Sequence, residues 1–306
     1  MATQKEVKNR IGSIKNIHKI TRAMEMVAAA RLRRAEQRID AMRPYAQAIR
    51  KMTQQVADAA EGKVSRISLL EERENPSKVG VLLVTGDRGL AGSFNSQIIR
   101  EGARLGRELR GDSKEVVFSA VGRRGVSTLG FRGEELAGSY TGFTDRPAFS
   151  DAREISRDLV TAYRDGELDR VELIYNRYVS PLTQYVRRQT LLPLQQAEVF
   201  GEGISEEEEE VDEELAEAHR RAEWIYEPDA DKLLPMLFEE YVDLSVYRAL
   251  LESSASELGA RMTAMRSASE NANDMIDNLT LEMNRVRQSE ITQQILEVVA
   301  GAEALG

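Results

Sequence analysis

From about Leu233 to the C-terminus, apolar residues recur at alternating steps of four and three. The series runs Leu237, Tyr241 and Leu244, then Leu251, Ala255, Leu258, Met262 and Met265, then Ala272, Ile276, Leu279, Met283 and Val286. Only Arg248 and Ser269 interrupt it, Gly259 is its one glycine, and no proline follows Pro235. A 3.5-residue period sustained over this length is a coiled-coil seam. An unbroken helix here would measure roughly 90 to 100 Å at 1.5 Å per residue. No single globular core is that wide. The helix must leave its domain as a rod, and it needs a partner.

The other end of the chain supplies one. Val7, Ile11 and Ile14 begin a second helical stripe, continued by Ile17, Met24, Ala28, Leu32, Ala35, Ile39, Met42, Ile49 and Val56. Pro44 should kink this helix or strain it near Asp40 without ending it, because the stripe resumes in step beyond. Two such helices can bury their seams on each other, each Leu, Ile or Met contributing about 1.5 to 3 kcal/mol. If both leave the central domain at the level of Val56 and Leu233, antiparallel partners i and j satisfy i + j of about 289. Ile14 then faces Met275, Met24 lies near Met265 and Ile39 near Leu250, while Gln288 to Gly306 overhang as a lone tip. A hairpin serving only for dimerisation is the competing reading.

The 306 residues are 30% charged and 42% hydrophobic, with a formal charge of −9. That suits one or two soluble domains with a substantial core. No apolar run is long enough to span a membrane, and no signal-type segment opens the chain. Cysteine is absent, which removes disulfides and thiol chemistry and fits a cytoplasmic setting. His18 and His219 are the only histidines and have no ligand-like spacing, so no metal site is expected. Residues 1–51 hold thirteen Lys or Arg against four Asp or Glu, a balance of +9. Residues 201–240 hold three against sixteen, a balance of −13. The basic helix has no interleaved aromatics, so an acidic protein partner fits it better than nucleic acid.

The middle of the chain has a different texture. Val79 to Thr85 (VGVLLVT) and Glu115 to Val121 (EVVFSAV) are expected strands, as are Arg170 to Val179 and Thr183 to Leu192, which turn at Ser180 and Pro181. Helices are expected from Asn95 to Leu109, around Arg124 to Leu129, and from Phe149 to Arg164 with Ser150 or Asp151 as N-cap. The fold expected is a Rossmann-like α/β domain with a mainly parallel sheet, plus a long antiparallel coiled coil of the terminal helices. The divisions are residues 1–60 for the first coiled-coil helix, 76–200 for the α/β domain, 201–223 for an acidic surface segment and 230–306 for the last helix. Gly86 to Phe94 (GDRGLAGSF) sits where a phosphate-binding turn would sit, yet matches neither G-x-G-x-x-G nor a P-loop. A tight strand-to-helix connection is the better reading, and no cofactor is expected.

Two terminal segments, ITRAMEMVAAARLRR (Ile20 to Arg34) and NRVRQSEITQQILEVVAGAEA (Asn284 to Ala304), together with RIGSIKNIHKIT near the start and YEPD (Tyr226 to Asp229), resemble the γ subunit of bacterial F-type ATP synthase. The resemblance covers the whole chain. It implies a central rotary stalk of a proton-translocating synthase that is not itself an enzyme. The implied partners are a hexameric ring of α and β subunits, the ε subunit and a membrane rotor ring of c subunits. The implied place is peripheral, on the cytoplasmic face of the bacterial cell membrane. By the same resemblance Met24, Arg287, Gln288 and Thr292 meet the catalytic ring, and Trp224, Tyr226 and Glu227 meet the rotor ring. Gln293 and Gln294 depart from the pattern of a relative that carries an acid at the second position. The absence of cysteine excludes the thiol control of the plant plastid form. A nucleotide-dependent α/β enzyme with helical arms, and a coiled-coil scaffold or nucleic-acid adaptor, are the competing functions.

Overall fold

The structure is a computed structural model and describes residues 3–59, 68–73, 75–195 and 230–303. Two arms dominate it: helix α1 (Gln4–Ala59, 56 residues) and the C-terminal helix (Ala230–Glu303, 74 residues). The second is about 110 Å long at 1.5 Å per residue, longer than its seam alone implied. Every position of its four-three series from Leu237 to Val286 is buried or half-buried. Helix α1 passes through Pro44 without a break. Met42 and Ile49 are buried on either side of it, so seam contacts offset the missing N–H bond. The acidic segment 201–223 lies outside the described residues.

Between the arms the elements are β1 (Lys78–Val84), α2 (Phe94–Gly111), β2 (Glu115–Val121), α3 (Arg123–Phe131), β3 (Leu136–Tyr140), α4 (Phe149–Arg164), β4 (Arg170–Tyr178) and β5 (Gln184–Leu192). The C-terminal arm is therefore α5. The sheet order is β3-β2-β1-β4-β5; β1 to β4 are parallel and β5 is antiparallel to β4. Strand β1 is apolar almost throughout because both its faces are covered. Val79, Val81 and Leu83 pack with Ile98 and Leu105 of α2, whereas Leu82 and Val84 pack with Ile155 of α4 and Phe238 and Val242 of α5. This is the Rossmann-like layering expected, and the base of α5 forms part of one layer.

Two local expectations need correction. Strand β3 was not foreseen: LAGSY is short, half-buried and glycine-containing, and becomes a strand only by pairing with the edge of β2. Helix α4 is capped at Ala148, not at Ser150 or Asp151. The Asp151 carboxylate instead accepts the Ala148 N–H at 2.7 Å, one half of a capping box.

Candidate functional site

The arms pair antiparallel. Ala28, Leu32 and Ala35 of α1 cluster with Ala255, Leu258 and Met262 of α5, and Met42 and Ile49 cluster with Leu244 and Leu251. Three polar contacts fix the register directly. The Tyr45 hydroxyl donates to Glu240 at 2.7 Å, Arg266 Nε to Glu25 at 3.0 Å, and the Gln4 N–H to Glu290 at 3.4 Å. Their residue numbers total 285, 291 and 294, within five of the expected sum.

The seam of α1 is more polar than its apolar residues imply. Continuing the four-three spacing of Val7, Ile11 and Ile14 leads to His18, Thr21, Glu25 and Ala28. All four are buried or half-buried. Ile17, expected in the stripe, is 52% exposed, and Met24 is a half-buried flank beside Glu25. Met275, expected opposite Ile14, is exposed, while its neighbour Ile276 turns inward. Strict spacing, followed through polar residues, would have found this. The Arg266 hydrogen bond outweighs burial and, with Arg22 at 2.8 Å, holds the Glu25 carboxyl below its usual range.

Beyond Glu290, α5 runs past the described part of α1. Ile291, Ile295, Leu296, Val298 and Val299 are all exposed, an apolar tip that no described residue covers. Arg287, Gln288 and Thr292 are exposed just below and within it, and the Thr292 hydroxyl donates back to the Gln288 carbonyl at 2.9 Å. Ile20, Met26 and Val27 add exposed apolar surface around Met24 on α1. Trp224, Tyr226 and Glu227 lie outside the described residues.

A second site is the crevice at the C-terminal ends of β1 and β4, where the strand order reverses and where doubly wound sheets hold their ligands. Here α5 occupies it. The Ser253 hydroxyl donates to the Val84 carbonyl at 3.3 Å and Ser256 to the Asn176 carbonyl at 3.1 Å. Glu257, buried, pairs with Arg261, whose Nη2 donates to the Gly89 carbonyl at 3.3 Å. Burial pushes the Glu257 carboxyl up, and Arg261 opposes that shift. A Cβ at position 86 would lie 2.6 Å from the Glu257 carboxylate, so a larger residue there would have to displace that side chain. Two amides of the turn are also engaged: Gly86 N–H donates to Asn95 at 2.8 Å, and Asp87 N–H donates to the Thr144 hydroxyl at 2.9 Å. The Asp87 carboxylate accepts N–H bonds from Arg123, Gly142 and Thr144 at 3.1, 2.9 and 3.2 Å. Among the described residues no cluster of three or more His, Asp or Glu is placed to hold a metal.

The comparisons with known proteins agree with this architecture. A family model described as ATP synthase matches residues 3–305. The ATP synthase gamma chain of Rubrobacter xylanophilus is 42% identical over 305 residues, covering 100% of this chain and 99% of the relative. That of Moorella thermoacetica is 40% identical and covers both chains completely. A sodium ion specific gamma chain from Acetobacterium woodii is 38% identical over 98% of each. Among solved structures, the central stalk and c-ring of the Tetrahymena thermophila mitochondrial ATP synthase aligns with a TM-score of 0.59 and 30% identity, covering 82% of this chain and 99% of that one. A chain of the Euglena gracilis mitochondrial enzyme shares the fold at a TM-score of 0.64 and 16% identity, covering 99% and 94%. An unequal antiparallel helix pair on a Rossmann-like foot, matched end to end by these relatives, places this chain in the ATP synthase gamma-chain family.

Proposed function

We propose that the chain is the rotating central stalk of a proton-translocating F-type ATP synthase, and that it carries no catalytic site of its own. The observation that carries this reading is the unequal helix pair, with α5 continuing past the described part of α1 and exposing an apolar tip. A stiff body of low symmetry can push differently on successive members of a surrounding ring. Its outer contacts must also be weak enough to break at every step. Exposed Arg287, Gln288 and Thr292 meet that demand as reversible hydrogen-bonding groups, and Met24 lies on the opposite arm as a half-buried contact. The non-catalytic part of the reading is supported by the ligand crevice of the sheet, which α5 fills with its own Ser253, Ser256 and Glu257.

In this reading the upper shaft stands in the ring of α and β subunits. The foot meets the ε subunit and a rotor ring of c subunits, with Trp224, Tyr226 and Glu227 as the foot contacts. The Tetrahymena neighbour, described as central stalk and c-ring, supports that placement. Among the described residues no helix is long and apolar enough to cross a membrane. Association is then peripheral, through the rotor ring, on the cytoplasmic face of a bacterial membrane. Rotation of the shaft would regulate ATPase activity and proton flow together.

The test is reassembly with the ring subunits. Arg287→Ala with Gln288→Ala should lower coupled ATP turnover several-fold, on the order of one lost polar contact per residue, and leave the unfolding midpoint of the isolated chain unchanged. Equal losses in both measurements would sink the contact role.

A further inference from the structure

A cleft of about 510 Å³ opens where α1, the end of β4 and α5 meet. Its acids are already engaged. Glu36 accepts the Tyr178 hydroxyl at 2.5 Å, Asp40 lies 3.7 Å from Arg43, and Glu252 Oε1 receives Arg248 Nε at 2.8 Å. Two cations are left over. Arg50 and Arg177 both line the cleft and are half-buried, and neither makes a hydrogen bond or ion pair with any described residue. Two buried atoms are left over as well: Arg50 Nε lacks an acceptor and Glu252 Oε2 lacks a donor. Glu252 is only 4% exposed. Buried polar atoms without partners are rare because each forfeits its hydration, so these two atoms beside one cleft point to an occupant, water or ligand.

The leftovers specify its chemistry. The occupant must accept hydrogen bonds from guanidinium groups, bring negative charge, and donate one proton to a carboxylate oxygen. Water meets the first and third demands and leaves two cations without a counter-ion. Sulfate meets the first two and has no proton to donate. We propose that this cleft binds inorganic hydrogen phosphate, its oxygens on Arg50 and Arg177 and its P–OH donating to Glu252 Oε2. Guanidinium groups match phosphate oxygens in geometry and charge. The volume also lies in the range of small-molecule sites. The site does not depend on the stalk role, and its test uses the isolated chain.

Calorimetric titration of the full chain at pH 8 and matched ionic strength decides it. At that pH inorganic phosphate keeps one proton, sulfate has none, and a phosphate monoester with a second pKa of about 6 has almost none. Inorganic phosphate should saturate a single site. Sulfate and methyl phosphate should bind about tenfold or more weakly, the change expected when one hydrogen bond to a charged group is lost. Methyl phosphate also stands in for the terminal phosphate of a nucleotide, so tighter binding of the ester than of phosphate overturns the assignment. Arg50→Gln and Arg177→Gln should each weaken phosphate about tenfold with an unchanged circular dichroism spectrum. Glu252→Gln should bring sulfate to within about threefold of phosphate, because an amide nitrogen can donate to either anion. If wild-type protein shows no saturable phosphate binding, or binds sulfate as tightly, the proposal fails whatever the variants do.

Discussion

Asp169, at the lower edge of the sheet, gathers the Ser77 N–H at 2.8 Å, the Ser77 hydroxyl at 2.9 Å, the Lys78 N–H at 2.9 Å and the Arg73 guanidinium. These bonds tie the approach to β1 onto the start of β4. Burial alone would raise the Asp169 pKa, but hydrogen bonds from Lys78, Arg73 and Ser77 prevail and hold it well below the usual carboxylate range. A folded pKa below the unfolded one gives stability that is present above the unfolded value of about 4 and is lost as pH falls below it. Asp169→Asn should therefore cost about 1 to 3 kcal/mol at pH 7. Urea unfolding at pH 7 and pH 3 should show that gap narrowing in acid; a constant gap would assign the loss to packing instead.

At the scale of elements, the paired arms offer a direct check of register. Ala35 and Ala255 are both buried in one cluster, and their small side chains let the helices approach closely. With no native cysteine to interfere, Ala35→Cys with Ala255→Cys should oxidise to a disulfide, which needs Cα atoms about 4.4 to 6.8 Å apart. Ala35→Cys with Leu244→Cys, some three turns away along α5, should stay reduced on a non-reducing gel. The antiparallel pairing itself was legible in the sequence because a 3.5-residue period admits few alternatives once it runs for about fourteen turns, as from Leu237 to Val286. The polar stretch at Thr21 and Glu25 was not. A rule that selects apolar side chains steps onto Ile17 and Met24, and only Arg266 across the interface shows why a carboxylate is tolerated there. Strand β3 was hidden for a related reason, since its strand character comes from β2 and not from its own residues. The glycine turn was legible as a tight connection. That α5 would fill the crevice above it was not, because Ser253, Ser256 and Glu257 look on paper like an ordinary helical polar stretch.

For the whole molecule, the overhang separates what stabilises the chain from what its partners use. Deleting residues 291–306 removes side chains that are exposed wherever they are described, so the isolated chain should keep its stability to within about 0.5 kcal/mol. The same deletion in a reassembled complex should lower ATP-driven ion pumping. A large fall in the unfolding midpoint of the isolated chain would mean that the tip folds back on its own shaft. The filled crevice has a further consequence. A helix advances 100° per residue, so any slip of α5 against the sheet would swing the far end to a different compass bearing. Contacts to Val84, Asn176 and Gly89 from one stretch of α5 act as a key in a keyway. They index the tip, about 60 Å further on, to the orientation of the foot. Loosening the key would alter the timing of the motor before it altered its strength.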